Sequence, residues 1–317
     1  MQQNIKNLYN YLDIKLKNPI LKLKYHKNNI KCAIVLDDGR FATCSSDKSI
    51  IIYNKITFKP DLIIKEHCGS VICILQLSSD MLASCSQDIQ DSAIKIFKIY
   101  DNNYEVFQIL NYHEFFVYKI IELRNKKLVS CSDSSSIIIY SKDNHNKYIR
   151  DYAVKTRGIC FCLIQTKENE ICYYDDNNGN DSICFYDLLE KKFKSEINNI
   201  SVSGYSSFNM VTKDLLLITG YKTLSIINVN QRKLVRILNV PDSSYIYASC
   251  LLNKNILLTG DYNKQIKEWK IEGDNLELIS TKENAHNNSI STIIKIGDRH
   301  ILSGSFTDGI IKIWHFV

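Results

Sequence analysis

The chain has 317 residues, 45% of them hydrophobic, which is enough to bury a large core in one β domain or in two ordinary domains. The formal net charge of +6 is concentrated in residues 1–31, which hold seven lysines and one aspartate, so the rest of the chain is about neutral. This distribution argues against a broad nucleic-acid-binding face, and we expect no nucleic-acid partner.

The eleven cysteines are scattered through apolar runs, and no C-x-x-C pair occurs. Cys160 and Cys162 form a C-x-C, but on a strand two positions apart they share one face, so we expect reduced, buried thiols and no metal site. Reduced thiols predict a cytoplasmic protein. No apolar run approaches the length of a signal peptide or a membrane span, so we expect no membrane insertion.

In chain order, residues 1–18 are predicted to be an N-terminal extension. Next, "PILKLKYH" predicts a lone strand over residues 20–25. The hairpin "CSSDKSIIIY", Cys44 to Tyr53, then comes back as "CSDSSSIIIY", Cys131 to Tyr140. The apolar strand that ends each hairpin recurs every 41 to 46 residues. These strands end at Tyr53, Phe97, Tyr140, Tyr186, Ile227, Trp269 and Trp314. Short strands at such regular spacing indicate a closed all-β array of four-stranded sheets.

Each of these strands is preceded by an apolar run that ends in small polar residues, such as "FATCSS" or "ILSGS". The pattern His-x-x-x-Ile/Val precedes four of them, at His26, His67, His113 and His286. This arrangement resembles the WD-repeat family from about Leu21 to the end. The resemblance implies that residues 19–317 form one closed, seven-bladed β-propeller of four-stranded antiparallel sheets. The strand over residues 20–25 would complete the last blade.

The resemblance also implies hydrogen-bonded tetrads with a structural role. The expected members in the first and last repeats are His26, Ser45, Asp47, Tyr53, His286, Ser305, Asp308 and Trp314. A set of Ser, His and Asp also matches a hydrolase triad. It recurs from repeat to repeat, however, and the nucleophile motif G-x-S-x-G is absent, so satisfaction of buried polar groups explains it better. We therefore expect no catalytic residues and no cofactor.

The middle repeats depart from this pattern. Lys155 and Asp242 stand where His is expected in repeats four and six, either because a closed ring tolerates drift or because these blades were remodelled for a partner. The acidic stretch "YYDDNNGNDS", Tyr173 to Ser182, lacks the EF-hand order. Because Asn-Gly favours turns, we interpret this stretch as a solvated loop instead of a calcium site.

The third repeat carries "HEFFV" where other repeats have small polar residues between His and Ile or Val. By the resemblance, this loop opens on the narrow face around the central channel, with Arg157 and Tyr245 in equivalent loops. Phe115 and Phe116 either line this face or pack on a neighbouring blade. Because aromatic and Arg side chains dominate interface energetics, we predict that Phe115, Phe116, Arg157 and Tyr245 bind a partner.

Together these features predict a non-enzymatic scaffold or adaptor that binds a protein or peptide on the narrow face, within a larger complex. One alternative is a substrate-receptor subunit of a ubiquitin ligase. The other is an enzyme with a site in the channel, which would need convergent acids, His or metal ligands that the repeat pattern does not supply.

Overall fold

The computed structural model describes residues 18–78, 80–198, 200, 202 and 206–316. In this part of the chain, 28 β-strands form seven four-stranded sheets, and every strand pair is antiparallel. Each sheet is one blade, and its strands follow the chain order from the innermost to the outermost in blades one to six. The all-β, seven-bladed fold predicted from the repeat is confirmed.

The strands lie as follows. Blade one contains β2 (Ile30–Val35), β3 (Phe41–Ser45), β4 (Ile50–Tyr53) and β5 (Pro60–Ile64). Blade two contains β6 (Ser70–Ser78), β7 (Met81–Gln87), β8 (Ile94–Ile99) and β9 (Tyr104–Leu110), with a 3₁₀ turn at Ile89–Asp91. Blade three contains β10 (Val117–Glu122), β11 (Leu128–Ser132), β12 (Ser136–Lys142) and β13 (Tyr148–Lys155). Blade four contains β14 (Ile159–Lys167), β15 (Glu170–Asp176), β16 (Ser182–Asp187) and β17 (Lys192–Asn198).

The remaining blades close the ring. Blade five contains β18 (Phe208–Met210), β19 (Leu215–Thr219), β20 (Thr223–Asn228) and β21 (Lys233–Asn239). Blade six contains β22 (Ile246–Asn253), β23 (Ile256–Asp261), β24 (Ile266–Glu272) and β25 (Asn275–Lys282). Blade seven contains β26 (Ile290–Ile296), β27 (His300–Ser305), β28 (Ile311–His315) and, as its outermost strand, β1 (Leu21–Leu23).

The predicted closure of the last blade by the first strand is confirmed, although that strand is shorter than residues 20–25. Leu21 pairs with Ile313 and Leu23 with Ile311, and the Leu23 side chain is buried. The ring is therefore closed without a covalent bond between its first and last blades. The proposed domain boundary at residue 18 stays a prediction, because residues 1–17 lie outside the described part of the chain.

Neighbouring blades share their hydrophobic cores. One core cluster joins Ile30 and Phe41 of blade one to Leu302 and Ile313 of blade seven. The close approach requires a small residue on the second strand: a Cβ at Gly304 would lie 2.7 Å from the Ile30 side chain. The same strand position is cysteine in the first three blades, at Cys44, Cys85 and Cys131. These three cysteines are buried, as the sequence predicted, because the packing between blades leaves room only for small side chains.

Candidate functional site

Blade one contains a complete hydrogen-bonded tetrad, but one predicted member is wrong. His26 Nδ1 lies 2.9 Å from Asp47 Oδ2, and His26 Nε2 lies 2.8 Å from Thr43 Oγ1, which in turn contacts the Tyr53 hydroxyl. Thr43 therefore takes the place assigned to Ser45. Both face the same side of β3, but Ser45 lies one step nearer the turn, where its hydroxyl donates to the Asn28 carbonyl oxygen at 3.0 Å.

Blade seven shows the same shift and lacks one link. His286 Nε2 lies 2.7 Å from Ser303 Oγ, and the Trp314 indole N–H donates to the same oxygen, so Ser303 replaces the predicted Ser305. The prediction that Asp308 completes this tetrad is also wrong. The carboxylate accepts from Ser305, while His286 Nδ1 is buried without a partner among the described residues. The turn between Ser305 and Asp308 is one residue longer than that between Ser45 and Asp47. The Asp308 carboxylate is therefore displaced from the His286 imidazole.

Burial shifts the pKa of His286, and hydrogen bonds shift the pKa of Asp47. Burial, with a smaller contribution from Lys312, lowers the pKa of His286 to about 3. For Asp47, burial alone would raise the pKa, but hydrogen bonds from His26 and Ser49 outweigh it and hold the pKa well below its usual range. His26 and His286 are each only 1% exposed. Both ring nitrogens of His26 and Nε2 of His286 face a hydroxyl or a carboxylate of their own blades, which is the geometry of a structural set and not of an accessible triad.

Blades four and six replace the histidine with ion pairs. In blade six the buried Lys267 amine lies 3.1 Å from Asp261 Oδ2, and Ser243 donates to the same oxygen. In blade four the Arg157 guanidinium contacts the buried Asp175 carboxylate at 3.4 Å and also pairs with Glu196. These residues supply the polar links between strands that His and Asp supply in blade one.

The innermost strands of the seven blades surround a central channel of about 420 Å³. In six of these strands a β-bulge lies close to the first residue, at one end of the ring. A bulge adds an unpaired residue and re-aims its side chain. The residues at these bulges line the channel: Lys31, Ile72, Tyr118, Phe161, Tyr247 and Ser291. We call this end of the ring, where the innermost strands begin, the channel rim.

Two groups of aromatic side chains lie on the channel rim. In blades three and four, the Tyr118 ring lies 4.5 Å from Phe161 and 6.4 Å from Phe116, measured between centroids. The second group spans blades five to seven: Tyr245 lies 5.0 Å from Tyr221, and the chain of rings continues through Tyr247 to Phe306. The Lys31 amine lies 5.1 Å from the centre of the Phe306 ring, so blade one adds a cation to this group.

The structure brings two of the four predicted partner-binding residues, Phe116 and Tyr245, into these groups, and Phe115 precedes Phe116 in the same loop. Phe115 and Tyr245 are 43% and 40% exposed, whereas Phe116 is half-buried against Tyr118. Arg157 lies instead beside a separate polar cavity of about 650 Å³, next to Asn177 and Glu196. The role of all four in binding a partner stays a prediction.

The sequence reasoning missed the bulge residues, although a signal was present. In "FVY", residues 116–118, and "YIY", residues 245–247, two aromatics flank one buried aliphatic residue. Alternation of this kind places both aromatics on the same side of a strand. The second aromatic of each triplet, Tyr118 or Tyr247, is the one that enters the channel.

Within the described residues, no cluster of three or more His, Cys, Asp or Glu side chains is arranged to hold a metal ion. The same part of the chain contains no helix with the length and hydrophobicity needed to span a membrane.

Comparison with known proteins finds a family match for one repeat of the chain. Residues 17–54, which span the closing strand and the first three strands of blade one, match the model of the WD domain, G-beta repeat. A search of curated proteins finds no match. The matched segment contains the complete tetrad of His26, Thr43, Asp47 and Tyr53, and the four-stranded blade recurs seven times around a closed ring. The match and the seven-bladed ring together support the resemblance to the WD-repeat family.

Proposed function

We propose that this protein is a non-enzymatic interaction scaffold that binds a protein or peptide on its channel rim. The observation that carries the proposal is the convergence of aromatic side chains from blades three to seven on one end of the ring. WD-repeat propellers are commonly scaffolds for protein interactions and are generally not enzymes.

The exposed area on the rim has the composition of an interaction surface. Phe115, Tyr221, Tyr245 and Tyr262 are each at least 40% exposed, although burial of such rings is favourable. Each has few rotatable bonds, so it loses little conformational entropy when a partner immobilises it. The aromatic groups therefore offer apolar contact area at a low cost in conformational entropy. The Lys31 amine beside Phe306 favours a partner that presents carboxylates or carbonyl oxygens there.

The proposal includes a cytoplasmic location. All eleven cysteines are free, and ten of them are buried or half-buried, which suits a reducing compartment.

The test is a quantitative pull-down from the native cell with wild-type protein and a Phe115→Ser, Tyr245→Ser double variant. Loss of a central aromatic anchor costs about 2 kcal/mol or more of binding, roughly thirty-fold in affinity, so specific partners should be lost. Both positions are exposed, so the melting temperature should change little.

The matched control is Tyr100→Ser, which removes an aromatic side chain that is 43% exposed in the loop between β8 and β9, at the opposite end of the propeller. This control should keep the partners of the wild-type protein. A double variant that retains its full partner set, at an unchanged melting temperature, would contradict the proposal.

A further inference from the structure

The central channel contains two lysines and, among the described residues that line it, no Asp, Glu or Arg. Lys31 comes from blade one and Lys119 from blade three, and both line the cavity of about 420 Å³. The remaining polar lining includes hydroxyl and amide side chains, such as Ser249, Thr292 and Gln87. The described part of the channel wall therefore carries positive charge that no carboxylate of the same wall offsets.

Lys119 occupies a position at which other blades have small, uncharged side chains. It directly follows the bulge residue Tyr118, so it lines the channel one residue below the rim. The equivalent residues are Cys73 in blade two, Ala248 in blade six and Thr292 in blade seven. The Lys119 side chain is half-buried, and among the described residues its amine forms no hydrogen bond and no ion pair.

A half-buried ammonium needs a counter-charge, because its removal from water costs free energy. The buried Lys267 of blade six has one, the Asp261 carboxylate at 3.1 Å, whereas Lys119 has no such partner among the described residues. An anion that enters the channel would supply this counter-charge. The Lys31 amine, 5.1 Å from the centre of the Phe306 ring, adds a second cation at the rim of the same cavity.

We propose that the channel binds the carboxylate of a Glu or Asp side chain, which the partner inserts from the rim and which Lys119 and Lys31 hold. The inference rests on the proposed function, since the rim aromatics would bind the residues on either side of the acidic one. A cavity of this size with a few polar groups is typical of a binding site. The single deep cation, Lys119, matches the one charge of a carboxylate better than the nearly double charge of a phosphorylated side chain.

The first experiment measures how much wild-type protein an immobilised peptide library retains. The central residue of each peptide is Glu, Gln or phosphoserine, and the flanking residues are varied. We expect Glu peptides to bind about tenfold or more tightly than the matched Gln peptides, the size expected for a hydrogen bond to a charged group. Equal binding of Glu and Gln peptides would overturn the inference, and so would a preference for phosphoserine over Glu.

The Phe115→Ser, Tyr245→Ser variant separates failure of this inference from failure of the proposed function. If the library binds wild-type protein without preference for Glu and does not bind this variant, the rim site stands and the channel site is wrong. If wild-type protein binds no peptide, or if the variant binds as wild-type protein does, the rim site fails and the channel inference fails with it.

A second experiment tests Lys119 itself. Lys119→Met should abolish the preference for Glu and should not lower the melting temperature of the free protein, because the ammonium that it removes has no carboxylate partner among the described residues. The matched control is Lys48→Met, since Lys48 is exposed in the turn between β3 and β4, at the same end of the ring but outside the channel. It should keep the preference.

A Lys119→Met protein that folds and still prefers Glu would contradict the assignment. A lower melting temperature with an unchanged preference would show that Lys119 has a structural role only. If Lys119→Met does not fold, the comparison of Glu with Gln peptides in wild-type protein remains decisive.

Discussion

Blades one and six link their inner strands through different polar side chains. Both keep the hydroxyl and the aromatic ring: Thr43 contacts Tyr53 in blade one, and the Trp269 indole N–H donates to Thr259 at 2.9 Å in blade six. Where blade one adds His26 and Asp47, blade six has an ion pair between Lys267 and Asp261.

In the two blades, these polar side chains come from different strands and loops. In blade one the imidazole comes from the loop before the innermost strand, and the carboxylate comes from the turn after the second strand. In blade six the carboxylate ends the second strand and the amine rises from the third. The blade therefore requires a satisfied polar link between its inner strands, and it does not require histidine. Because the ion pair of blade six buries two full charges, the two blades should respond differently when one partner is removed.

The largest effect is expected in blade six. Asp261→Ala would leave the Lys267 ammonium, whose side chain is 4% exposed, without its carboxylate. Removal of one partner of a buried ion pair typically costs about 3–5 kcal/mol. Chemical denaturation should show a loss of this size, and the double variant Asp261→Ala, Lys267→Met should recover much of it. If the double variant is no more stable than the single one, the ion pair is not what Asp261 contributes.

A smaller effect is expected in blade one. Asp47→Ala removes the carboxylate partner of His26 Nδ1, so we expect a loss of about 1.5–3 kcal/mol, the range for a hydrogen bond to a charged group. Ser45→Ala is the control within the same turn, since Ser45 lies outside the tetrad and should cost less. Equal losses for the two variants, measured by the same denaturation, would restore Ser45 as a tetrad member.

The smallest effect concerns pH and distinguishes blade seven from blade one. His286 is held neutral in the folded protein with a pKa of about 3, whereas in the unfolded chain its pKa is about 6.5. Below pH 6.5 the unfolded state binds the extra proton, so the stability that this site retains at pH 7 is lost as pH falls toward 3.

Between pH 7 and pH 5.5 the loss at this site is about 1.3 kcal/mol. The measurement is the free energy of unfolding at both pH values in wild-type protein and in His286→Asn, where the difference should shrink by that amount. An unchanged pH dependence would contradict the account, because it would show that His286 binds its proton as readily in the folded protein as in the unfolded chain.

The repeat period was enough to predict the seven blades, because each hairpin carries its own β-branched run and turn, and the closing strand was predicted from the resemblance to the WD-repeat family. The tetrad membership was not predictable to the residue. Thr43 and Ser45, like Ser303 and Ser305, are small polar residues two positions apart on one face of a strand. The position of the imidazole along the strand determines which of the two hydroxyls it contacts.

The channel rim was predictable in part. Phe115, Phe116 and Tyr245 stood out as large residues in loops whose counterparts are small. Tyr118 and Tyr247 enter the channel because each lies at a β-bulge. A bulge results from strand pairing, so a local sequence pattern does not predict it. The partners of Arg157 come from three strands of blade four, so the guanidinium could not be assigned to the blade from its loop alone.

Site-specific photo-crosslinking tests the central claim, that partners bind at the channel rim, most directly. A photoreactive amino acid replaces Tyr245 on the rim or Tyr100, which is 43% exposed in the loop between β8 and β9 at the opposite end of the ring. Both proteins are irradiated in extracts of the native cell. The account predicts crosslinked partners from position 245 and none of the same partners from position 100. Crosslinks of those partners from position 100 alone would contradict it and would place the binding surface on the other face.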